Sequence, residues 1–564
     1  MKKKCILILL AVVMNFNFAS CRMSGEYHQD EPQRVSFDVY KNDDDTMDKG
    51  PVRGGTLKMF STYPDTLNPV LTNNTYVQDF SRLIFEGLVK VREDLTPVPV
   101  LADRWETSGD GLVWTFYMRD NVRWHDGTPL TAEDVEFTFE TILSAASNSV
   151  YKKNLQNIAT FAAIDKDTFR VVLKKPNSFT AELMTFPIIP KHYFSKISLA
   201  ELPERMKPIG TGPYKFGSYV SDKCIKLVVN QNWWNSKSNN TEGYPAVPYI
   251  SEVHINLYKN ASDAIKAFQT KDVDVIRIDG LDYDKYNGRL DLTIKKYPGR
   301  NFEFIAFNLS SPILEDKYLR QAIAYAIDKE GLVKEFLPGK AVLSNVPLVP
   351  GTWINDSNDL SHVYDVKRAR EILDKGGWKE GKDGLTKTIN GVRRPLKLEM
   401  LVNEDNKLRC AVADRISEQL KKVGIDLKVT AMDWEEELKR IDAGKFDMVL
   451  IGCRVPSIPD VSYLYSYSYF LPILVSEADG GRNISGYLNQ DVSKYIERIF
   501  SENDKDRKKA LFLNMKQIIE DEVPYLGLYF YNNAVLYNKN IRGDLSPNVW
   551  DWLNNIAEWY IPEK

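Results

Sequence analysis

The sequence predicts a mixed α/β protein folded in two or three lobes, and three observations carry that expectation. Its 564 residues exceed the roughly 250–300 residues at which a single core stops growing. Segments with helical periodicity alternate along the chain with short β-rich runs. A 43% hydrophobic and 12% aromatic content is enough to fill large cores. The net charge of -3 gives no basis for a nucleic-acid surface.

Residues 54–60 (GGTLKMF) read as a strand. Residues 78–88 fit a helix that turns Phe80, Leu83, Ile84 and Leu88 inward. Residues 112–118 (LVWTFYM) form a strand of high β-propensity. Residues 168–175 alternate as a strand, and residues 214–220 and 225–230 add two more. Residues 261–278 read as helix, turn and strand. Residues 316–337 form a long amphipathic helix with Leu319, Ile323, Ala326 and Ile327 inward. Residues 408–434 give a helix, a glycine turn and a strand. Residues 444–453 add a strand, and residues 507–520 another helix.

The stretch HDGTPLTAEDVEF, residues 125–137, crowds His125 with Asp126, Glu133, Asp134 and Glu136. Asp126-Gly127 suits a tight reversal. Thr131 fits a helix N-cap, with Asp134 three residues on as an acidic form of the capping box. Glu133 and Asp134 stand where a helix start favours negative charge. Val135, Phe139 and Ile142 mark a buried stripe. The expectation is a structural corner and not a reactive site. The five histidines, at 28, 125, 192, 254 and 362, include no HExxH and no close pair. No GxSxG elbow occurs. The Gly-rich run at residues 210–214 lacks a following GK[ST] and reads as a tight passage into a strand. An enzyme is not expected, and neither is a cofactor or a metal.

The N-terminus reads MKKKCILILLAVVMNFNFASCR. Three lysines, a short apolar run and small residues before Cys21 have the order of a secretory signal. The run falls short of the ~20 apolar residues that span a bilayer. Residues 18–21 (Phe18, Ala19, Ser20, Cys21) resemble the bacterial lipoprotein motif, with Phe18 where leucine is usual. The resemblance implies cleavage after residue 20 and acylation of Cys21, an anchor stronger than one acyl chain supplies. A polar tether would follow. Cys224, Cys410 and Cys453 remain, at wide spacing, and form neither a disulfide framework nor a zinc pattern. A single disulfide stays possible, with buried free thiols the simpler reading.

Six blocks carry a wider resemblance: residues 54–89, 99–140, 208–216, 304–333, 411–429 and 521–537. In order and spacing they are similar to the substrate-binding proteins of bacterial ABC importers, of the oligopeptide/dipeptide-binding class (solute-binding protein family 5). The resemblance implies a periplasmic-binding-protein-like fold of two lobes with an extra inserted subdomain and a cleft that closes on a hinge. It divides the chain into a signal peptide (1–20), a tether (21–35), lobe I (36–80, 210–305 and 530–564), an inserted subdomain II (81–209) and lobe III (306–529). The main lobes would be joined near residues 304–308 and near residue 530.

For a ligand, the resemblance implies peptides, held by backbone pairing and delivered by a lipid-anchored monomer outside the cell to permease and ATPase subunits. It places ligand contacts on Asn73, Asn74, Thr75 and Tyr76, and on Cys453, Arg454, Val455, Pro456, Ser457 and Asp460. Here the chain departs from its relatives' Trp-x-x-Asp pattern: Arg454 falls at the Trp position and Ser457 at the Asp position that pairs with a peptide ammonium. The expectation is that Arg454 and Asp460 both face the cleft. Tyr463, which leads the run SYLYSYSYF with Tyr465, Tyr467 and Tyr469 after it, is a further candidate ligand contact, its ring and hydroxyl suiting a wet pocket; an extended run would put all four on one face, and a helix would split them. A non-peptide solute for import, such as an oligosaccharide or metal chelate, and a peptide-sensing receptor are the alternatives.

Overall fold

The strand Gly54–Thr62 lies parallel to Ile250–Tyr258, with the antiparallel strands Cys224–Val229 and Tyr214–Val220 completing a four-stranded sheet. Alternation buries Leu57, Met59 and Ser61 along the first of these strands. The computed structural model describes residues 50–198, 201–237, 248–356, 360–382, 384–466 and 483–562. The signal peptide, Cys21 and the tether lie outside the described residues, as do Tyr467 and Tyr469. Among the described residues no helix is long and apolar enough to cross a membrane.

A second sheet runs in the order Val275–Asp279, Tyr525–Asn538, Leu292–Phe307, Met448–Arg454, Lys397–Asn403 and Asp426–Met432, with Ala341–Leu343 also on Tyr525–Asn538. Its two long strands, of 16 and 14 residues, serve two cores. Tyr297, Val535 and Tyr537 pack with Leu57 and Trp559. Ile305, Phe307, Leu526 and Leu528 pack with Leu319, Ile323 and Ile416. Between these groups the pairing breaks. Residues 292–298 pair with 538–532, the register then shifts, and Phe302 pairs with Phe530. Gly299 sits in this bulge, where a Cβ would approach the Tyr531 carbonyl oxygen to 2.8 Å. Such irregularities bend a strand and re-aim its side chains.

Residues 102–173 form an antiparallel sheet of Ala102–Thr107, Val113–Met118, Thr168–Leu173 and Ile158–Ala163. The helix Ala132–Leu143 covers it, with Phe139 against Phe169 at 4.8 Å between ring centroids. These residues share one apolar core with the first sheet. They also reach the helix Gln490–Ser501. Ser178 donates its N–H to the Phe500 carbonyl at 2.7 Å and its Oγ–H to the Ile499 carbonyl at 3.0 Å. Both acceptors lie in the last turn of the helix Gln490–Ser501, where carbonyls lack intrahelical partners.

Two predicted helices differ. The first spans Thr75–Ser81 and not residues 78–88. Past it, the Leu83 and Ile84 carbonyls accept the N–H groups of Tyr214 and Gly212, so tertiary pairing takes the backbone that helical periodicity had claimed. The helix predicted over residues 316–337 is two, Lys317–Ala326 and Lys329–Phe336. Asp328 divides them: its side chain accepts the Gly331 N–H at 2.8 Å, as an N-cap does. The helices Ala261–Gln269, Lys407–Lys421 and Lys505–Glu522 lie where periodicity put them.

Candidate functional site

The crowded corner at residues 125–137 is partnered within the fold. His125 accepts the Gly210 N–H on Nδ1 and bonds the Gly212 carbonyl through Nε2 at 3.1 Å. Burial brings its pKa down to about 4, so the ring is neutral. Asp134 accepts the Thr131 N–H at 3.0 Å, the return half of the capping box, and also the Trp124 indole and the Lys191 N–H. Asp126 meets His192, Glu133 meets Lys191, and Glu136 accepts the Ala163 N–H. The glycines beside His125 are required by space: a Cβ on Gly210 would lie 1.9 Å from the Ile84 carbonyl oxygen.

A cavity of about 610 Å³ opens elsewhere. The helix Thr75–Ser81, the segment 85–91, the bulge 299–301 and residues 548–557 supply much of its wall. Arg454 and Ser457 enter from the end of the strand Met448–Arg454. Four of the expected contact residues therefore share one space: Thr75, Tyr76, Arg454 and Ser457. The others are placed differently. Asn73 is exposed, and its N–H goes to Asp65. Asn74 caps the helix, accepting the Tyr76 N–H while donating to Thr62 and the Tyr63 carbonyl. Val455 is buried, and the Cys453 thiol lies 3.9 Å from the Tyr463 hydroxyl. Burial pushes that thiol up to about 12. Pro456 is half-buried and does not line the cavity.

The expectation that Asp460 faces the cleft does not match its geometry. Its carboxylate accepts the Ser462 N–H at 2.8 Å and the Ser462 hydroxyl, and it is absent from the cavity wall. A short turn with serine two residues on captures the carboxylate locally. Tyr463 and Tyr465 lie in the helix Ser462–Tyr465, so the extended reading of this run fails at its start; both rings are buried.

The wall also contains groups that the sequence reading missed. Arg277 pairs with Asp79 at 3.2 Å. Burial raises the Asp79 carboxyl, against the pull of Arg277 and Arg82. Glu86 accepts indole N–H groups from Trp233 and Trp234, and Glu182 faces Lys508; burial takes each carboxyl up to about 7. Arg300 donates Nε–H to the Val455 carbonyl at 2.8 Å, while Val455 returns its N–H to the Arg300 carbonyl. Burial and the Arg454 guanidinium bring Arg300 down to about 10. Two local signals could have found them: Gly-Arg-Asn interrupting the strand Leu292–Phe307, and the aromatic, polar run NVWDWLNN at residues 548–555. Among the described residues no His, Cys, Asp and Glu cluster could hold a metal ion.

A mixed polar and aromatic hollow of this size suits reversible capture of a solute. Comparison with known proteins agrees. The chain is 27% identical over 531 residues to the oligopeptide-binding protein AppA of Bacillus subtilis, covering 91% of this chain and 92% of that relative. It is 26% identical over 490 residues to the dipeptide-binding protein of Escherichia coli, covering 82% and 86%. In fold it resembles the solved periplasmic murein tripeptide-binding protein MppA in its unliganded open form, with a TM-score of 0.76, 21% identity and coverage of 92% and 99%. The sequence matches the family description of bacterial extracellular solute-binding proteins, family 5, over residues 96–470. This chain belongs to that family of solute-binding proteins.

Proposed function

We propose that the protein captures peptides in the 610 Å³ cavity and delivers them, unaltered, to an ABC permease at the outer face of the membrane. The observation that carries this reading is the cavity itself, walled by the helix Thr75–Ser81, the bulge at 299–301 and residues 548–557, with Arg454 and Ser457 reaching in. A peptide enclosed there must pair its N–H and C=O groups, because each one left unmade costs roughly 1–3 kcal/mol. Pairing with protein backbone meets that need for any sequence. Thr75, Tyr76, Arg454 and Ser457 are the proposed contacts, with Asn73, Asn74, Cys453, Val455, Pro456, Asp460 and Tyr463 holding their two loops in shape. Relatives named for oligopeptides and dipeptides support the ligand class. Closure over the ligand is a population shift that ligand favours.

Native mass spectrometry of the purified protein with its co-purified ligand tests the reading. A ladder of small peptide masses is expected; a single sugar or chelate mass would overturn it. The N-terminal sequence supports anchoring through acylated Cys21. Cys21→Ser should move the protein from the membrane fraction to the soluble one, and continued membrane retention would refute the anchor.

A further inference from the structure

Three carboxylates on the cavity wall and the guanidiniums of Arg300 and Arg454 are in different situations. Asp79 has Arg277 and Arg82, Glu86 has two indoles, and Glu182 has Lys508. Among the described residues, Arg300 and Arg454 have no carboxylate partner. The Val455 carbonyl is the partner of Arg300, and the charged neighbour acting on it is Arg454, another cation. For Arg454 the acting charge is Arg277, another cation. The bulge explains their convergence. Asn301 stands opposite Arg454 in the strand register, and an undisturbed strand would send Arg300 to the other face. The register shift between Pro298 and Phe302 lets Arg300, Asn301 and Arg454 all line the same space.

Guanidiniums do not give up their proton in proteins. Two of them lining one cavity repel, and a bound anion removes that penalty. A carboxylate matches the planar, forked donor set best, since both of its oxygens can be engaged at once. We propose that Arg300 and Arg454 form an anion subsite, and that the ligand presents a carboxylate to this end of the cavity. Ser457, beside it on the wall, adds a hydroxyl donor without adding negative charge. The proposal rests on the peptide-binding reading for the source of the carboxylate, which is either the peptide C-terminus or an acidic side chain. The subsite itself does not need that reading.

The test uses ligand-stripped full-length protein and three tetrapeptide libraries: one lacking Asp and Glu as free acids, the same library as C-terminal amides, and amides carrying one Glu. Half-saturating concentrations are read by thermal shift for the wild type, Arg454→Gln, Arg300→Gln and the control Arg507→Gln, whose residue pairs with Glu502. A charge-assisted hydrogen bond is worth roughly 1.5–3 kcal/mol, which is about 10- to 100-fold in affinity. Tighter binding of the free acids by that factor assigns the C-terminus; tighter binding of the Glu amides assigns the side chain. Either preference should collapse in both cavity variants and persist in Arg507→Gln. Equal binding of uncharged amides and acids, or a preference that survives both cavity substitutions, overturns the proposal. If no library binds, the peptide reading fails and succinate becomes the probe. Succinate stabilising the wild type but neither cavity variant would then uphold the anion subsite alone, and succinate without effect would overturn it.

Discussion

The corner at residues 125–137 and the loop at residues 453–463 are both rich in polar and charged groups, yet they differ in what those groups have left over. In the corner, His125 and the carboxylates of Asp126, Glu133, Asp134 and Glu136 each have a partner within the fold. In the loop, Asp460 is satisfied by Ser462, while Arg454 remains exposed to the cavity with other cations as its charged neighbours. Crowding of titratable groups is therefore a poor guide to function. Charge without a counter-charge, facing a cavity, is the better one.

Four experiments would break or sharpen that contrast. The largest effect is expected at Gly210→Ala. The added Cβ meets backbone at 1.9 Å, and backbone cannot step aside as a side chain can. A loss of about 4 kcal/mol or more is expected in denaturant unfolding; a near-neutral variant would show that the corner is loosely held.

The second effect is a pH dependence. His125 is neutral in the folded state, its pKa lowered to about 4, against about 6.5 when unfolded. The unfolded chain therefore binds the extra proton between those values. The stability owed to the neutral ring is full above about pH 6.5 and is lost as pH falls towards 4, on the order of 3 kcal/mol in all. Glu86 and Glu182, with carboxyls raised to about 7, act in the opposite sense. The quantity to measure is thus the stability difference between wild type and His125→Asn at pH 7.5 and at pH 4. It should shrink at the lower pH; a constant difference would mean that the ring is solvated.

Third, Asp134→Ala removes a cap and leaves the Trp124 indole, a buried donor, without its partner. A cost of about 2–3 kcal/mol is expected, with ligand affinity unchanged. Smallest is Asn74→Ala, which should cost about 1 kcal/mol as a lost N-cap. Its loss of affinity should be below that of Arg454→Gln. A larger loss would return Asn74 to direct contact with ligand.

The elements read correctly from sequence were those whose signal is local. Thr131 and Asp134 write a cap within four residues, and the Ala261–Gln269 helix has its own Asn260 cap. The first predicted helix erred because Leu83 and Ile84 have helical spacing yet give their carbonyls to residues some 130 positions away. No local pattern encodes that partner. The cavity was legible only in part for the same reason. Thr75, Tyr76, Arg454 and Ser457 came from motif position, whereas Arg300 joins them through a register slip that alternation along its strand cannot reveal. Asp460 was misplaced because charge alone says nothing about the serine that captures it.

The strand Tyr525–Asn538 sits between Val275–Asp279 and Leu292–Phe307, although it is the last of them to leave the ribosome. That sheet consequently lacks a strand between two of its members until translation is nearly over. A nascent chain of this kind stays unfinished for most of its making.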